Sequence, residues 1–305
     1  MEGISFIIDS RGRKIAAQID IIKHSDIWEE FYSQWYLNKW WKNLEKAWQI
    51  AFKEAIRMDI DDEPTLEQLK EISELKFFVC KDYRIDSLEP LEALPHLETL
   101  VIAETEVSDL ELVKQFENLT HLDLMKTPVR SLEPLRYMRR LEEIYFHDTS
   151  VNSLEPLSHL FGLHTLAFGK TKVKDLTPLQ NLRRMEKIFA AECLVEDLSP
   201  IAGLEKMQYL NLQKTRIKSI EPLKKFRYLE ELYIQHTAVE SIEPLRAMYR
   251  LESLGISHTK VKSLEPIMPL RALRNLYCYN TQIPQEEIDE FKKTHPKCKV
   301  VQEDF

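Results

Sequence analysis

The sequence repeats itself every 22 residues. LETLVIAETEVSDL at 97–110 and LTHLDLMKTPVRSL at 119–132 both fit the pattern L-x-x-L-x-L-x-x-T-x-V-x-x-L, with isoleucine for the third leucine in the first segment. The frame also begins at Leu75, Leu141, Leu163, Met185, Met207, Leu229, Leu251 and Leu273, ten copies with no insertion or deletion. Such a period is the signature of a solenoid, in which each repeat buries its apolar face against its neighbours. We number positions from the first leucine of a frame and call one position across all repeats a column.

Each repeat combines two kinds of local structure. Leu122 and Leu124 alternate with polar residues, which predicts a strand with one buried face. The motif SLEPL then predicts a short helical or 3-10 segment, since Ser and Asp are favoured N-caps and a first turn tolerates proline. The predicted N-caps are Ser87, Ser131, Ser153, Asp175, Asp197, Ser219, Ser241 and Ser263. A degenerate eleventh repeat is predicted with Cys298 in register with Leu276 and Val300 with Cys278.

This pattern resembles the leucine-rich repeats of the 22-residue class found in internalins and in a regulatory subunit of protein phosphatase 1. The resemblance covers about residues 65–302. It implies an α/β solenoid with a parallel concave sheet of about 10–11 strands and short 3-10 or helical convex segments. It also implies a non-catalytic module that binds another protein.

The inward Asn of that family is replaced by threonine in eight repeats. A hydroxyl offers fewer hydrogen-bonding groups than an amide, so we expect a thinner ladder of hydrogen bonds. The residues are Thr105, Thr127, Thr149, Thr171, Thr215, Thr237, Thr259 and Thr281.

The N-terminal region departs from the repeat. SFIID and KIAAQIDI flank SRGR, which predicts a hairpin. One helix or a pair of helices follows, opened by a capping box of Asp26 and Glu29. All five tryptophans lie here, and they indicate either a cap packed on the first strands or a second interface, including a dimer contact. The residues of that predicted interface are Trp28, Trp35, Trp40 and Trp41.

A second resemblance concerns the same region. FIIDSRGRKIAAQIDI followed by WEEF resembles the start of small bacterial antitoxins of the prevent-host-death type. It implies an alternative function, a regulator or antitoxin-like adaptor that acts through the N-terminal part and uses the solenoid as a sensor. The predicted organisation is an N-terminal subdomain at 1–62, a solenoid at 63–283 and a C-terminal cap, helix plus strand, at 284–305.

Composition limits the choice of partners. The formal net charge of −8 argues against nucleic acid, because phosphate binding favours a basic surface. No apolar stretch approaches the roughly 20 residues of a membrane helix, and the first residues do not read as a signal peptide. Four dispersed cysteines fit a reduced, cytoplasmic setting, and we expect a bacterial protein. No cofactor is indicated, and the sequence does not identify the partner or the oligomeric state.

Positions three, five and seven are expected on the concave face. From Tyr145 onward, column five alternates large rings with small groups, because a flat ring is wider than the strand spacing of about 4.8 Å. Exposed aromatic rows commonly mark protein contacts, although such rings can also pack on each other and stiffen the sheet. The predicted partner-binding residues are Tyr145, Phe189, Tyr209, Tyr233, Tyr277, Tyr279, His121 and His147.

Two other groups of polar residues stand out. Column eight alternates acidic and basic residues from Glu104 to Lys214, which predicts a ladder of salt bridges. His121, Asp123, Glu143, His147 and Asp148 lie close in the third and fourth repeats, either as a metal site or as polar decoration of a contact surface. The sequence contains none of the HExxH, Walker or GxSxG motifs, so we expect no enzyme.

Overall fold

The computed structural model describes the backbone of residues 4–8, 14–19 and 25–303, and the side chains of residues 33–303. The chain divides into two compact units. One comprises the residues up to Leu75 together with Pro90–Pro95, and the other comprises Lys76–Glu89 and the chain from His96 onward. The division into three parts with limits at 62 and 283 stays a prediction.

The first unit contains two strands and three helices. Strands β1 (Ile4–Ile8) and β2 (Lys14–Ile19) pair antiparallel, as the hairpin prediction requires. The SRGR turn lies outside the described residues. Helices α1 (Ser25–Asn43) and α2 (Lys46–Ala55) are the predicted pair, and the side chains of Asp26 and Glu29 also lie outside the described residues.

Helix α3 (Leu66–Ser73) follows in the same unit. Thr65 caps it, because its Oγ1 accepts a hydrogen bond from the Gln68 N–H while Gln68 Oε1 accepts one from the Thr65 N–H, at 3.3 and 2.9 Å. This reciprocal capping box satisfies two N–H groups that the helix leaves unpaired.

Aromatic side chains form the core of the first unit. The ring of Phe52 lies 5.1 Å from that of Trp40 and 5.4 Å from that of Trp48. The indole of Trp40 donates to the Pro90 carbonyl at 2.9 Å, and the indole of Trp41 donates to Glu63 at 3.2 Å. These large rings are therefore buried with their polar N–H groups satisfied.

The second unit is built on a parallel sheet of eleven strands within the described ranges, as predicted. The strands are β3 (Phe77–Val79), β4 (Thr99–Val101), β5 (His121–Asp123), β6 (Glu143–Tyr145), β7 (Thr165–Ala167), β8 (Lys187–Phe189), β9 (Tyr209–Asn211), β10 (Glu231–Tyr233), β11 (Ser253–Gly255), β12 (Asn275–Tyr277) and β13 (Lys299–Val301). Each strand between β3 and β13 pairs with the strands of the preceding and the following repeat, so the spatial order follows the order in the sequence.

Short 3-10 segments follow the strands from β3 to β11. They are Glu89–Ala93, Glu111–Gln115, Glu133–Leu135, Glu155–Leu157, Thr177–Leu179, Ser199–Ile201, Glu221–Lys225, Glu243–Leu245 and Glu265–Ile267. After β12 the chain instead forms helix α4 (Gln285–Thr294), which leads to β13. The predicted C-terminal helix and strand are both present. Within the described residues, no helix combines the length and the apolar character that crossing a bilayer requires.

The pairing register keeps the 22-residue interval until the last strand. Leu122 pairs with Ile144, but Leu276 pairs with Val300, at an interval of 24 residues. The predicted register, with Cys298 opposite Leu276, is therefore wrong by two residues. Helix α4 is longer than the 3-10 segment of the other repeats and takes up the extra residues. A shift of two residues preserves the inward and outward faces of a strand, so the last strand still covers the core.

The Ser and Asp residues predicted as N-caps lie one position before the N-caps of the 3-10 segments. Ser131 Oγ accepts from the Glu133 N–H at 3.2 Å, and Asp197 Oδ1 accepts from the Ser199 N–H at 2.8 Å. The N-cap itself is the following residue, for example Leu132. The side chain therefore forms a turn that bonds the first N–H of the segment. Pro134 is the second residue of its segment, where a missing N–H costs no helical bond.

The threonine column forms hydrogen bonds within each repeat. Every hydroxyl of the eight threonines donates to the carbonyl three residues earlier, at 2.6 to 2.9 Å. Cys193 takes the column in the sixth repeat, and its thiol donates to the Phe168 carbonyl of the previous repeat at 3.0 Å. These bonds satisfy buried carbonyls where the strand ends and the chain turns.

Column eight has an unusual backbone conformation. Its residues from Glu104 to Asn280 have φ between 51° and 62°, and none is glycine. An L-residue in this left-handed region costs roughly 1–2 kcal/mol. The strain recurs because every repeat turns at the same position.

We expect Lys170→Gly to raise the free energy of unfolding by about 0.5–1 kcal/mol, because relief of the left-handed strain outweighs the greater chain entropy that glycine brings. The matched control is Lys172→Gly, two residues later and outside the positive-φ column, which should lower stability by a similar amount. Urea unfolding monitored by circular dichroism measures both values. An equal loss in both variants would contradict the strain argument.

Candidate partner-binding surface

The concave face, as we call the side of the sheet formed by columns three, five and seven, carries the predicted binding residues. In β5, Leu122 is buried between half-buried His121 and Asp123. The same buried pattern recurs in most strands because successive side chains point to opposite faces. The concave face is thus made of evenly spaced columns.

Large rings and small residues alternate along column five. Ala167 and Gly255 stand between strands that carry rings, and the strands β7 and β11 that contain them are buried at all three positions. At Gly255 the side chain of Gln235 lies across the backbone, so that an added Cβ would meet its Nε2 at 2.1 Å. The small residues are therefore buried beneath larger neighbouring side chains.

Three rings form a continuous cluster in the middle of the concave face. Phe189 stacks on Tyr209 with centroids 4.3 Å apart, and Tyr209 lies 5.8 Å from Tyr233. All three side chains are half-buried. Mutual packing fixes their positions while part of each ring still faces solvent.

Two glutamate–tyrosine pairs lie at this cluster, one that includes its ring Tyr233 and one two strands before Phe189. The Tyr145 hydroxyl donates to Glu143 Oε2 at 2.6 Å, and the Tyr233 hydroxyl donates to Glu231 Oε2 at 2.6 Å. In each pair the two residues are two positions apart and therefore on one face of the strand. The pairs are 88 residues apart, which is four repeats. Each tyrosine holds a carboxylate in a defined orientation on the concave face.

The environment raises the pKa of both tyrosines well above the ordinary 10.0. Burial is the main cause, and the hydrogen bond to the neighbouring carboxylate adds to it. The hydroxyls consequently stay protonated and keep donating at any physiological pH.

In the predicted histidine and carboxylate cluster, Glu143 is the residue that the imidazoles approach. His121 Nε2 lies 3.6 Å and His164 Nε2 lies 3.9 Å from Glu143 Oε1. Asp123 instead accepts the Met125 N–H at 2.9 Å, and burial raises the pKa of its carboxyl group. His147 is half-buried in column seven. Across the described part of the chain, no group of three or more His, Cys, Asp or Glu is arranged to hold a metal ion.

The C-terminal end of the concave face contains the remaining predicted rings. Tyr277 and Tyr279 are both half-buried. The ring of Tyr279 meets His258 edge to face at 5.1 Å, and His258 stacks on His236 at 4.1 Å. Tyr279 thus packs beside the column-eight rim.

That rim contains two of the predicted salt bridges. Lys126 Nζ lies 2.8 Å from Glu104 Oε1, and Lys214 Nζ lies 3.4 Å from Glu192 Oε1. Both pairs are exposed, so each contributes at most about 1 kcal/mol. They link neighbouring repeats along the edge of the face.

Of the tryptophans predicted to form a second interface, Trp35 is the one whose described side chain is exposed. Trp40 and Trp41 are only 6% and 4% exposed, which places them in the core of the first unit. Trp35 is 53% exposed, and the Lys39 ammonium lies 4.9 Å from its ring centre. The side chain of Trp28 lies outside the described residues. An interface or dimer contact through this helix, and the antitoxin resemblance, stay predictions.

The cysteines behave as small hydrophobic groups. None of the four cysteines is in a disulfide, and Cys80, Cys193 and Cys278 are buried. Burial raises the pKa of Cys278 to about 11. A neutral buried thiol is a poor nucleophile.

Sequence reasoning missed Glu231 and His164 as members of the surface. The similar segments LEEIYFHD at 141–148 and LEELYIQH at 229–236 could have identified Glu231, because each places a glutamate two positions before a tyrosine. His164 precedes its strand, in column two, and its approach to Glu143 depends on a side-chain orientation that the repeat alone does not specify.

An in-register parallel sheet with 3-10 returns every 22 residues defines the leucine-rich-repeat fold, of the type found in internalins. An internalin (inlF) from Listeria monocytogenes matches with a TM-score of 0.62 and 19% identity over 87% of this chain and 90% of that one. The Leptospira interrogans leucine-rich-repeat protein LIC12759 matches with a TM-score of 0.66 and 19% identity over 79% and 68%.

A receptor ectodomain shares the fold as well. The leucine-rich-repeat ectodomain of the Arabidopsis thaliana receptor kinase GASSHO1/SCHENGEN3, solved in complex with CASPARIAN STRIP INTEGRITY FACTOR 2, matches with a TM-score of 0.58 and 14% identity over 71% of this chain and 31% of that one. No protein-family model and no curated protein matches the sequence.

The two half-buried tyrosines Tyr145 and Tyr233 predict a loss of stability at high pH. Their folded pKa lies above the unfolded value, so their contribution is complete below pH 10.0 and is lost as the pH rises beyond it. We expect Tyr145→Phe with Tyr233→Phe to flatten the decline of the unfolding free energy above that pH. Urea titrations between pH 8 and 11.5 measure the slope. The control Tyr137→Phe with Tyr249→Phe, at rings 80% and 65% exposed, should leave it unchanged.

Proposed function

We propose that this protein binds a protein partner on its concave face and catalyses no reaction. The observation that supports this most strongly is the Phe189–Tyr209–Tyr233 cluster between two oriented carboxylates. Tyrosine rings supply large contact area at a small cost in conformational entropy. Rings already held by stacking lose even less freedom on binding.

The surroundings of the cluster also suit protein binding. The small residues of the neighbouring repeats keep the surface level enough for an extended contact. The carboxylates at its ends supply charged groups around an apolar centre, which is the usual arrangement of an interface. The bound factor in the plant receptor ectodomain shows that this fold can hold a partner, and for our chain it supports the proposal by analogy of fold alone.

We further propose a cytoplasmic, bacterial setting and a partner other than nucleic acid. Four cysteines without a disulfide are compatible with a reducing compartment. The net charge of −8 disfavours contact with phosphate backbones. Fractionation of the native host with an antibody against the chain tests the location.

The decisive experiment removes three rings of column five. We expect Tyr145→Ala, Phe189→Ala and Tyr233→Ala together to abolish capture of the partner from an extract of the native host, measured by affinity capture and mass spectrometry. Because the rings are half-buried, the melting temperature should fall by a few degrees while unfolding stays cooperative, since each truncation costs on the order of 1 kcal/mol.

A matched control separates this effect from a general loss of aromatic surface. Tyr137, Phe161 and Tyr249 are exposed rings outside the concave face, at 80%, 55% and 65%. Their replacement by alanine should leave capture intact. If capture survives the column-five variant, the rings serve packing alone and the proposed surface is wrong.

A further inference from the structure

On the concave face, a charged residue and an aromatic ring recur together at every second strand from β6 to β10. Column three carries Glu143 on β6, Lys187 on β8 and Glu231 on β10. Column five carries a ring on each of the same strands, Tyr145, Phe189 and Tyr233. Adjacent strands are about 4.8 Å apart, so this pattern has a period of about 9.6 Å. The face thus presents negative, positive and negative groups at even intervals beside a row of rings.

A ligand that follows this pattern needs side chains on one face at the same interval. A polyproline II helix has three residues per turn and a rise of about 3.1 Å, which repeats one face every 9.3 Å or so. Over the two intervals between Glu143 and Glu231 the mismatch is under about 1 Å.

Other regular conformations fit less well. A β-strand returns to the same face every two residues, at about 6.6 Å. An α-helix returns after seven residues at roughly 10.5 Å and accumulates a mismatch of nearly 2 Å over the same span. Rows of aromatic rings are also the usual docking surface for polyproline II segments.

Charge selects the residues that such a segment would carry. The tyrosine hydroxyl occupies Oε2 of each glutamate, and Oε1 remains for a cationic side chain that can also lie over the ring. At Glu143 the imidazoles of His121 and His164 approach Oε1 only to 3.6 and 3.9 Å, too far for a hydrogen bond, so Oε1 can still accept one from a cationic side chain. Lys187 is exposed between the two carboxylates and suits an acidic residue.

We propose that the concave face binds a polyproline II segment of its protein partner that carries a basic, an acidic and a basic residue at three-residue intervals. This inference rests on the proposed function and names the conformation and charge order of the bound segment. The basic residues contact Glu143 and Glu231, the acidic residue contacts Lys187, and the intervening residues pack against the rings of column five.

A rigid peptide tests the spacing and the charge order directly. The probe is fluorescein-labelled Arg-Pro-Pro-Glu-Pro-Pro-Arg, titrated with the full chain in low salt and followed by fluorescence polarisation. We expect it to bind at least tenfold more tightly than Glu-Pro-Pro-Arg-Pro-Pro-Glu. Arg-Pro-Glu-Pro-Arg, with the same charges at two-residue intervals, should also bind at least tenfold more weakly.

Charge reversal in the protein supplies the complementary test. Glu143→Lys, Lys187→Glu and Glu231→Lys together should invert the preference between the two seven-residue peptides. The matched control Glu142→Gln with Glu230→Gln changes the net charge by the same amount in column two and should preserve the original order.

Three outcomes would overturn the inference. They are the absence of binding, equal binding of all peptides, and tighter binding of a helical peptide that carries Arg, Glu and Arg every seven residues. The proposed function is tested separately, because the column-five ring variant can still lose the host partner when every peptide fails. In that case the face binds protein in another way.

Discussion

Parallel pairing between neighbouring repeats is the constraint on which the second unit depends. A strand of three residues gains few hydrogen bonds, and one repeat buries too few side chains to offset the ordering of its backbone. In the sheet, Leu122 pairs with Leu100 on one side and Ile144 on the other, and all three are fully buried. Each repeat is stable because its neighbours cover both of its faces, which ties the sequence period to the strand register.

The same constraint converts sequence columns into a surface with a fixed pitch. Strands about 4.8 Å apart leave no room for flat rings side by side, so column five alternates Tyr145, Ala167, Phe189, Asn211 and Tyr233. Because rings cannot occupy adjacent strands of column five, they recur at every second strand and not at every strand. Column three follows the same period with Glu143, Lys187 and Glu231. The proposed recognition of a ligand with a pitch near 9.6 Å follows from this doubling.

The periodic features were predictable from the sequence because every repeat imposes them in the same way. Strand position, the 3-10 returns and the side of the sheet that carries the rings all follow from the leucine spacing. The errors fall where the period ends or where side-chain orientation decides. Helix α4 shifted the last register by two residues, because the length of a final helix is not set by the repeat. For Trp40 and Trp41, which prove to be buried, the sequence left two alternatives open, since a helix with apolar residues on several sides does not reveal which side is covered.

Stacking and binding are compatible roles for the concave rings. A ring that packs only to stiffen the sheet would gain from full burial, yet Phe189, Tyr209 and Tyr233 remain half-buried after stacking. Likewise, Glu231 carries a hydroxyl donor on Oε2 although a solvated carboxylate on a surface strand needs none. Both features restrict the motion of groups that still reach solvent. Restricting exposed groups lowers the entropy lost when a partner arrives, so the packing of these rings favours recognition as well as stability.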